Sequence, residues 1–131
     1  MASGKYTFII EQGATTDFEV VWTDSAGEKV DLTNYQARLQ IRSDYGSSGT
    51  LYANLSSSLD ADGTGLNMSG SNNQYPPTSG SIGIFISAAS SSAFTFSEAR
   101  YDLEMVSGSG ATQYVTRLLE GKVKLSKEVT V

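Results

Sequence analysis

The sequence feature that most constrains the fold is the strict alternation of apolar and polar residues over residues 35–42. Four apolar residues alternate there with four polar ones: Tyr35, Ala37, Leu39 and Ile41 against Gln36, Arg38, Gln40 and Arg42. Successive side chains of a β-strand point to opposite faces, so one face of this segment is apolar and the other polar. An apolar face must be covered by a second layer, and the pattern therefore predicts a two-layer β fold.

Other segments of the chain repeat this pattern. Strand signals recur over seven further segments, at residues 6–10, 18–22, 51–55, 66–68, 82–86, 101–105 and 112–125. Turn residues separate them at intervals of roughly 8–15 residues, which is typical of an antiparallel sandwich or barrel. We predict an all-β, Ig-like antiparallel β-sandwich of about eight strands, forming one domain over residues 1–131. Residues 87–94 are expected to form one short helical turn, with a serine cap at its start.

Two strands raise specific expectations about which side chains face inward. In the first strand Tyr6, Phe8 and Ile10 are expected to share the inner face. In the last strand the apolar face is interrupted by Arg117 and Gly121; its other members are Val115, Leu119, Val123 and Leu125. Arg117 is expected either to pair with Asp102 or Glu104 across the sheet or to mark an outward twist of the strand. A glycine inside a strand indicates a bulge or a close approach of another backbone.

The longest stretch without periodicity covers residues 69–80 and contains Pro76 and Pro77. Proline cannot donate a hydrogen bond to a strand ladder, so this stretch is predicted to be a loop. Loops of this length in small domains are often interaction sites or mobile excursions. Tyr75 in this loop and Tyr45 in a polar connection are therefore candidate interface anchors.

The composition argues against catalysis and against nucleic-acid binding. The chain has neither histidine nor cysteine, which removes the commonest general base and the thiolate metal ligands. Its 9 basic and 14 acidic residues give a net charge of −5, a poor match for a phosphate backbone. No signal peptide or membrane-spanning run is apparent. We expect a non-enzymatic protein without cofactor, metal, nucleic-acid or membrane partners, made in the cytoplasm.

Two acidic motifs have a chemical and a structural interpretation. Asp60 and Asp62 resemble the start of a calcium-binding loop, but residues 66–80 lack the acidic residue that would complete it. A turn joining two strands is the favoured interpretation. Asp102 and Glu104, two apart on one strand face, resemble the carboxylate pair of a glycosidase, but such a pair must flank a cleft. Charged residues on a solvated strand face are the favoured interpretation.

Arg38 and Arg42 point to the same side of one strand. Such a row is expected either at a subunit contact or on a strand that resists edge-to-edge pairing. We predict that at least one of the two makes an ordered ion pair. The candidate interface residues are Arg38, Arg42, Tyr45, Tyr75 and Arg117.

Three blocks of this sequence resemble a family of small β-sandwich virion proteins of tailed bacteriophages. They are residues 10–14 (IEQGA), residues 30–42 (VDLTNYQARLQIR) and, near the end, residues 101–104 (YDLE) with 115–121 (VTRLLEG). The family includes the tail collar protein that attaches lateral fibres, and versions from contractile-tailed phages of cyanobacteria are the most similar. The block at 30–42 is the most specific part. The loop at residues 69–80 departs from a compact member of the family.

The resemblance implies an Ig-like sandwich that assembles in rings on a virion and carries out no chemistry. The expected partners are copies of the chain itself and other tail, baseplate or fibre proteins. A capsid decoration or neck protein is the alternative within this class. An alternative of another class is a host-surface or carbohydrate-binding module, suggested by Tyr75 beside Asn72, Asn73 and Gln74.

Overall fold

The fold was established from a computed structural model, which describes residues 4–44, 49–108 and 110–130. Nine strands and one α-helix lie within these ranges: β1 (Gly4–Lys5), β2 (Phe8–Glu11), β3 (Thr16–Val21), β4 (Tyr35–Arg42), β5 (Leu51–Ser56), β6 (Gly65–Asn67), β7 (Ser81–Ile86), α1 (Ala88–Ser92), β8 (Glu98–Ser107) and β9 (Tyr114–Ser126). Three short 3₁₀ turns add to them: Ser71–Asn73, Pro77–Ser79 and Gly110–Thr112.

The strands form two sheets. In the larger sheet β9, β8, β4 and β5 lie side by side, and β1 and β2 follow one another along the free edge of β9. The smaller sheet has the order β3, β7, β6. All neighbours are antiparallel except β1 and β2, which run parallel to β9. The predicted all-β sandwich is confirmed, and the first predicted strand is divided into β1 and β2.

The strand order is that of an immunoglobulin-type sandwich. In that nomenclature β3, β7 and β6 take the places of strands B, E and D, while β4, β5, β8 and β9 take those of C, C′, F and G. Tyr101 lies on β8, the counterpart of strand F. Its hydroxyl donates to the carbonyl of Tyr6, which is distant in sequence. It therefore does not form the local tyrosine corner of immunoglobulin domains.

The core lies between the two sheets. Ile82, Ile84 and Ile86 of β7 belong to one buried cluster with the inward-facing residues of the larger sheet, including Leu39 and Leu103. All five side chains have at most 1% of their surface exposed. Burial of one such side chain stabilises a fold by about 1.5–3 kcal/mol. Packing between the sheets is therefore the main source of stability.

The alternation in β4 has the predicted structural consequence. Ala37, Leu39 and Ile41 are buried, and Arg38 on the opposite face is exposed. Tyr35 is half-buried at the start of the strand, where its ring meets Trp22 edge-on at a centroid distance of 5.1 Å. The apolar face of β4 therefore belongs to the core along its whole length.

The N-terminal strand is interrupted where it crosses Gly121. Tyr6 lies between β1 and β2, and its ring centroid lies 6.1 Å from that of Phe18, but 50% of its surface is exposed. Of the three residues expected on the inner face, only Phe8 and Ile10 are buried. A Cβ atom at Gly121 would lie only 2.1 Å from the carbonyl oxygen of Tyr6. The predicted close backbone approach at this glycine is confirmed. The same carbonyl accepts the Tyr101 hydroxyl at 2.6 Å, and burial raises the pKa of that hydroxyl.

The loop at residues 69–80 folds back over the outer face of the smaller sheet. The backbone of Gly70 covers Gly83 of β7 so closely that a Cβ at Gly83 would lie 2.8 Å from it. The amide of Ser71 donates to Glu19 Oε1 at 2.8 Å, and the amide of Leu32 donates to the Pro77 carbonyl at 3.0 Å. The loop is thus attached at several points, and these contacts explain why both faces of β7 are largely covered.

The helical turn forms where the sequence predicts it. Ser87 caps α1 by accepting a hydrogen bond from the amide of Ser90 at 3.0 Å. No helix among the described residues is long and apolar enough to cross a membrane.

Replacement of Gly121 by alanine is expected to lower the free energy of unfolding by about 1–3 kcal/mol, because the added methyl group displaces the Tyr6 carbonyl. Urea titration monitored by tryptophan fluorescence measures this change. Gly4→Ala is the matched control on the same edge, since its Cβ meets only the end of the Leu119 side chain, at 3.3 Å, and the nearby Leu118 carbonyl, at 3.6 Å. Equal stabilities of the two variants would contradict the close approach.

Candidate functional site

The outer surface of β4, β8 and β9 carries charged residues in rows across the strands, and we refer to it as the charged face. The cross-strand register defines three rows: Arg38, Glu104 and Arg117; Gln40, Asp102 and Glu120; Arg42, Arg100 and Lys122. Lys5 of β1 extends the second row beyond Glu120. All of these residues except Arg38 border an open groove of about 620 Å³, which Asp44 also lines.

Ion pairs join neighbouring residues within each of the first two rows. Arg38 Nε lies 2.7 Å from Glu104 Oε1, and Lys5 Nζ lies 2.6 Å from Glu120 Oε1. The predicted ion pair at Arg38 or Arg42 is confirmed for Arg38. About half of the Arg38 side chain is exposed, and exposed ion pairs contribute about 0–1 kcal/mol. The network orders the side chains of this face and contributes little to the stability of the fold.

A β-bulge moves Arg117 onto the charged face. Leu103 pairs with Leu119, but the next residue, Glu104, pairs with Arg117, so that Leu118 is an extra residue in β9. At the bulge the inward-facing and outward-facing positions of β9 exchange, so that Arg117 faces outward. The expectation that Arg117 interrupts the inner face is therefore wrong. Arg117 Nε instead lies 3.5 Å from Asp102 Oδ2, one of the two predicted partners. Its Nη1 lies 3.4 Å from Glu120 Oε2.

The bulge also changes the position of Val115. This residue was expected on the inner face with Leu119, and 41% of its surface is exposed. Since the pattern of apolar residues continues through the bulge, the strand sequence alone does not indicate the change of face.

The third row places three cations directly opposite one another. Arg42 pairs with Arg100, and Arg100 pairs with Lys122. Directly opposed like charges destabilise a sheet. Arg42 donates from Nε to Gln40 at 3.0 Å and from Nη1 to the carbonyl of Gly49 at 3.1 Å. Lys122 lies 3.6 Å from Glu98. The row is thus ordered, although its members repel each other.

Asp102 lies near the centre of the charged face. Burial raises the pKa of its carboxyl group, and the nearby carboxylate of Glu104 raises it further, whereas Arg117 opposes both effects. Asp102 and Glu104 point the same way, as predicted, and each faces an arginine. Their ion pairs favour the structural interpretation of this carboxylate pair.

The candidate interface residues do not form a single surface. Arg38, Arg42 and Arg117 lie together on the charged face. Tyr75 lies on the other side of the sandwich, close to Gly70, with 44% of its surface exposed. Tyr45 lies outside the described residues.

A second depression of about 230 Å³, which we call the cleft, lies on the outer face of the smaller sheet. Phe85 lines it, together with Asp17, Asp62, Asn67 and Asn73. The amide nitrogen of Asn67 donates to Asn73 Oδ1 at 2.9 Å. Asn73 itself has a positive φ of 57°, which asparagine tolerates better than most residues. An aromatic ring beside amide and carboxylate groups suits a polyhydroxylated ligand.

The turn at residues 60–65 joins strands of different sheets, β5 and β6, and is therefore not a hairpin. Asp62 Oδ2 accepts hydrogen bonds from Ser87 at 2.6 Å and from Ser90 at 2.8 Å. Together with the amide of Thr64, these donors hold the pKa of Asp62 well below its ordinary value. Within the described ranges no group of three or more acidic side chains is arranged to hold a metal ion. Asp62 attaches this turn to the start of α1.

Sequence reasoning missed two components of these sites. Arg100 was not recognised as a member of the third row, because only the cross-strand register aligns it with Arg42 and Lys122. Phe85 was not connected with Asp17 or Asn73, which come from other segments. The alternation of β7 predicts that Phe85 faces outward, but the residues that surround it depend on the tertiary fold.

A scan against protein-family models finds no match for this sequence, and a search of curated proteins also finds none.

Asp62→Ala is expected to destabilise the fold at pH 7, and its stability difference from the wild type should shrink as the pH falls below about 4. Because the folded pKa of Asp62 is lowered, its contribution is complete above the unfolded pKa and is lost as the pH falls through the folded one. Urea unfolding at a series of pH values measures the difference. Asp60→Ala, in the same turn, is the control and should change little. A difference that stays constant down to pH ~2 would contradict this role.

Proposed function

We propose that this protein is a non-enzymatic structural subunit of a phage tail, acting as a collar, baseplate or fibre-attachment adaptor. The observation that carries the proposal is the charged face. It is built in part by β4, whose sequence is the most specific part of the resemblance to phage virion proteins. The sandwich would present this face to neighbouring subunits, which are copies of itself or other tail proteins.

The energetics of the charged face support this role. Its ion pairs are partly exposed and contribute little to folding, so stability alone does not account for them. They do fix the positions of long side chains before any partner arrives. Preordering of this kind reduces the entropy lost on association. A surface whose side chains are ordered, although this order adds little to the stability of the fold, is suited to a repeated protein contact.

The proposal predicts that the protein is present in purified particles of the phage that encodes it, at about six or twelve copies, as expected for a tail ring. Quantitative mass spectrometry calibrated against the major capsid protein measures this number. Hundreds of copies would instead support the alternative, a capsid decoration protein. Absence from the particles would reject both. A reconstruction of the particle should place Arg38, Arg42 or Arg117 against a neighbouring chain.

The cleft supports a second candidate function, a carbohydrate- or host-surface-binding module. Phe85 offers an aromatic surface, and Asn67 and Asn73 offer amide groups beside it. Such a site would bind one or two sugar rings, with the ring faces on the aromatic side chain and the hydroxyl groups toward the amide groups. The fold alone does not imply this activity, since sandwiches carry many unrelated functions.

If the cleft binds glycans, Asn73→Gly is expected to weaken binding by about tenfold, because it removes an amide group and keeps a residue that accommodates the positive φ. Tyr75→Ala tests the neighbouring loop in the same way. Glycan arrays followed by calorimetry measure the affinity. Tyr114→Ala, which removes a tyrosine that is 67% exposed at the far end of the larger sheet, is the control. Failure of the wild type to bind any glycan would remove this candidate.

A further inference from the structure

The fold separates the charges of the chain onto two sides of the sandwich. The three rows and Lys5 contain six cations and three carboxylates; Lys124 and Glu98 form the next pair of β8 and β9, and Asp44 borders the groove. Together these residues have a net charge of +2, and the rest of the chain, with two cations and nine carboxylates, has a net charge of −7. A protein that is acidic as a whole thus carries one basic face.

The most basic part of this face is the third row. The first row places a carboxylate between two arginines, and the second contains two carboxylates and one lysine. In the third row Arg42, Arg100 and Lys122 stand side by side without an acidic residue between them, and the nearby carboxylate of Glu98 lies 3.6 Å from Lys122. The row lies along the groove of the charged face. It is therefore the part of the face with the strongest attraction for negative charge.

The acidic counterpart lies on the smaller sheet. Its three strands carry Asp17 and Glu19 and no lysine or arginine. Residues 43–99 contain no cation at all. Asp17 and Asp62 border the same cleft, with Asp60 on the adjoining turn, and all three are exposed. We call Asp17, Asp60 and Asp62 the acidic patch.

The two charged regions lie on opposite sides of one subunit. The third row is on the outer face of the larger sheet, and the acidic patch is on the outer side of the smaller sheet. Because the two regions lie on opposite sides, a two-fold symmetric contact would contain only one of them, and it would bring two copies of the same charged region together. A contact between row and patch must instead be head-to-tail, and repeated contacts of this type form closed rings or open filaments.

We propose that the third row of one copy binds the acidic patch of a second copy, so that the subunits associate face to back. This inference rests on the proposed function, to which it adds the identity of the two contacting surfaces. A second copy of the chain is the partner that charge complementarity favours, because its acidic patch has the charge opposite to that of the third row. Nucleic acid is a poorer match, since the chain as a whole has a net charge of −5 and neutralises a phosphate backbone poorly.

Association should depend on ionic strength, because the contact joins exposed charges that salt screens. Sedimentation velocity of the purified wild-type chain, at millimolar salt and at about 0.5 M sodium chloride, measures this dependence. We expect oligomers at low salt and monomers at high salt. A wild-type chain that is monomeric at both salt concentrations, up to about millimolar protein, would overturn the proposal.

Charge reversal identifies the two surfaces. Arg100→Glu with Lys122→Glu reverses the row, and Asp17→Lys with Asp60→Lys reverses the patch. Each double variant alone should associate at least about tenfold more weakly than the wild type, because like charges then face each other. A mixture of the two should recover association, since each altered surface then meets its opposite. If the mixture stays as weak as its components, the pairing of row with patch is wrong.

Two further variants keep the test interpretable. Lys29→Glu with Lys127→Glu changes the net charge by the same amount as the row variant and lies outside both surfaces; it should associate like the wild type. If it associates as weakly as the row variant, net charge and not the row determines association. If the row variant does not fold, as judged by thermal unfolding, the single change Lys122→Glu replaces it.

Salt-sensitive association of a chain absent from phage particles would reject the proposed function and leave this interface standing.

Discussion

The structure depends on the contact between the isoleucines of β7 and the inward-facing residues of the larger sheet. Ile82, Ile84 and Ile86 are completely buried, as are Leu103 and Met105 on the opposing side. Because side chains alternate along a strand, burial of one set determines which residues face outward. The position of every charged residue on β4 and β8 follows from this packing. The charged face is therefore a consequence of the core.

Much of this arrangement could be predicted from the sequence, because alternation is a local signal. The eight predicted strands, the capped helical turn and the ion pair of Arg38 all follow from patterns within a few residues. Predictions failed where a distant backbone determines the outcome. Tyr6 stays half-exposed at the point where its carbonyl meets Gly121 and Tyr101. Arg117 faces outward because Leu118 is an extra residue in β9. Neither contact has a signature in its own segment.

The same distinction applies to the candidate sites. Arg38, Arg42 and Arg117 could be proposed individually, but their grouping with Arg100 and Lys122 requires the register of three strands. The loop at residues 69–80 looks like a free excursion in the sequence. In the structure Gly83 lacks a side chain at the point where the backbone of Gly70 lies on β7. The loop is thereby held on the smaller sheet, and its turn at Ser71–Asn73 forms one wall of the cleft.

The third row is the part of the surface that the fold explains least. An exposed ion pair adds little to stability, and three opposed cations reduce it, so selection for folding alone would favour neutral residues there. Arg42 is held by Gln40 and by the carbonyl of Gly49, which orders the side chain without neutralising its charge. Ordered positive charge is retained on the one basic face of an acidic protein. The physical use of such an arrangement is attraction of negative charge, and we propose that the acidic side of the same sandwich supplies that charge to the next copy.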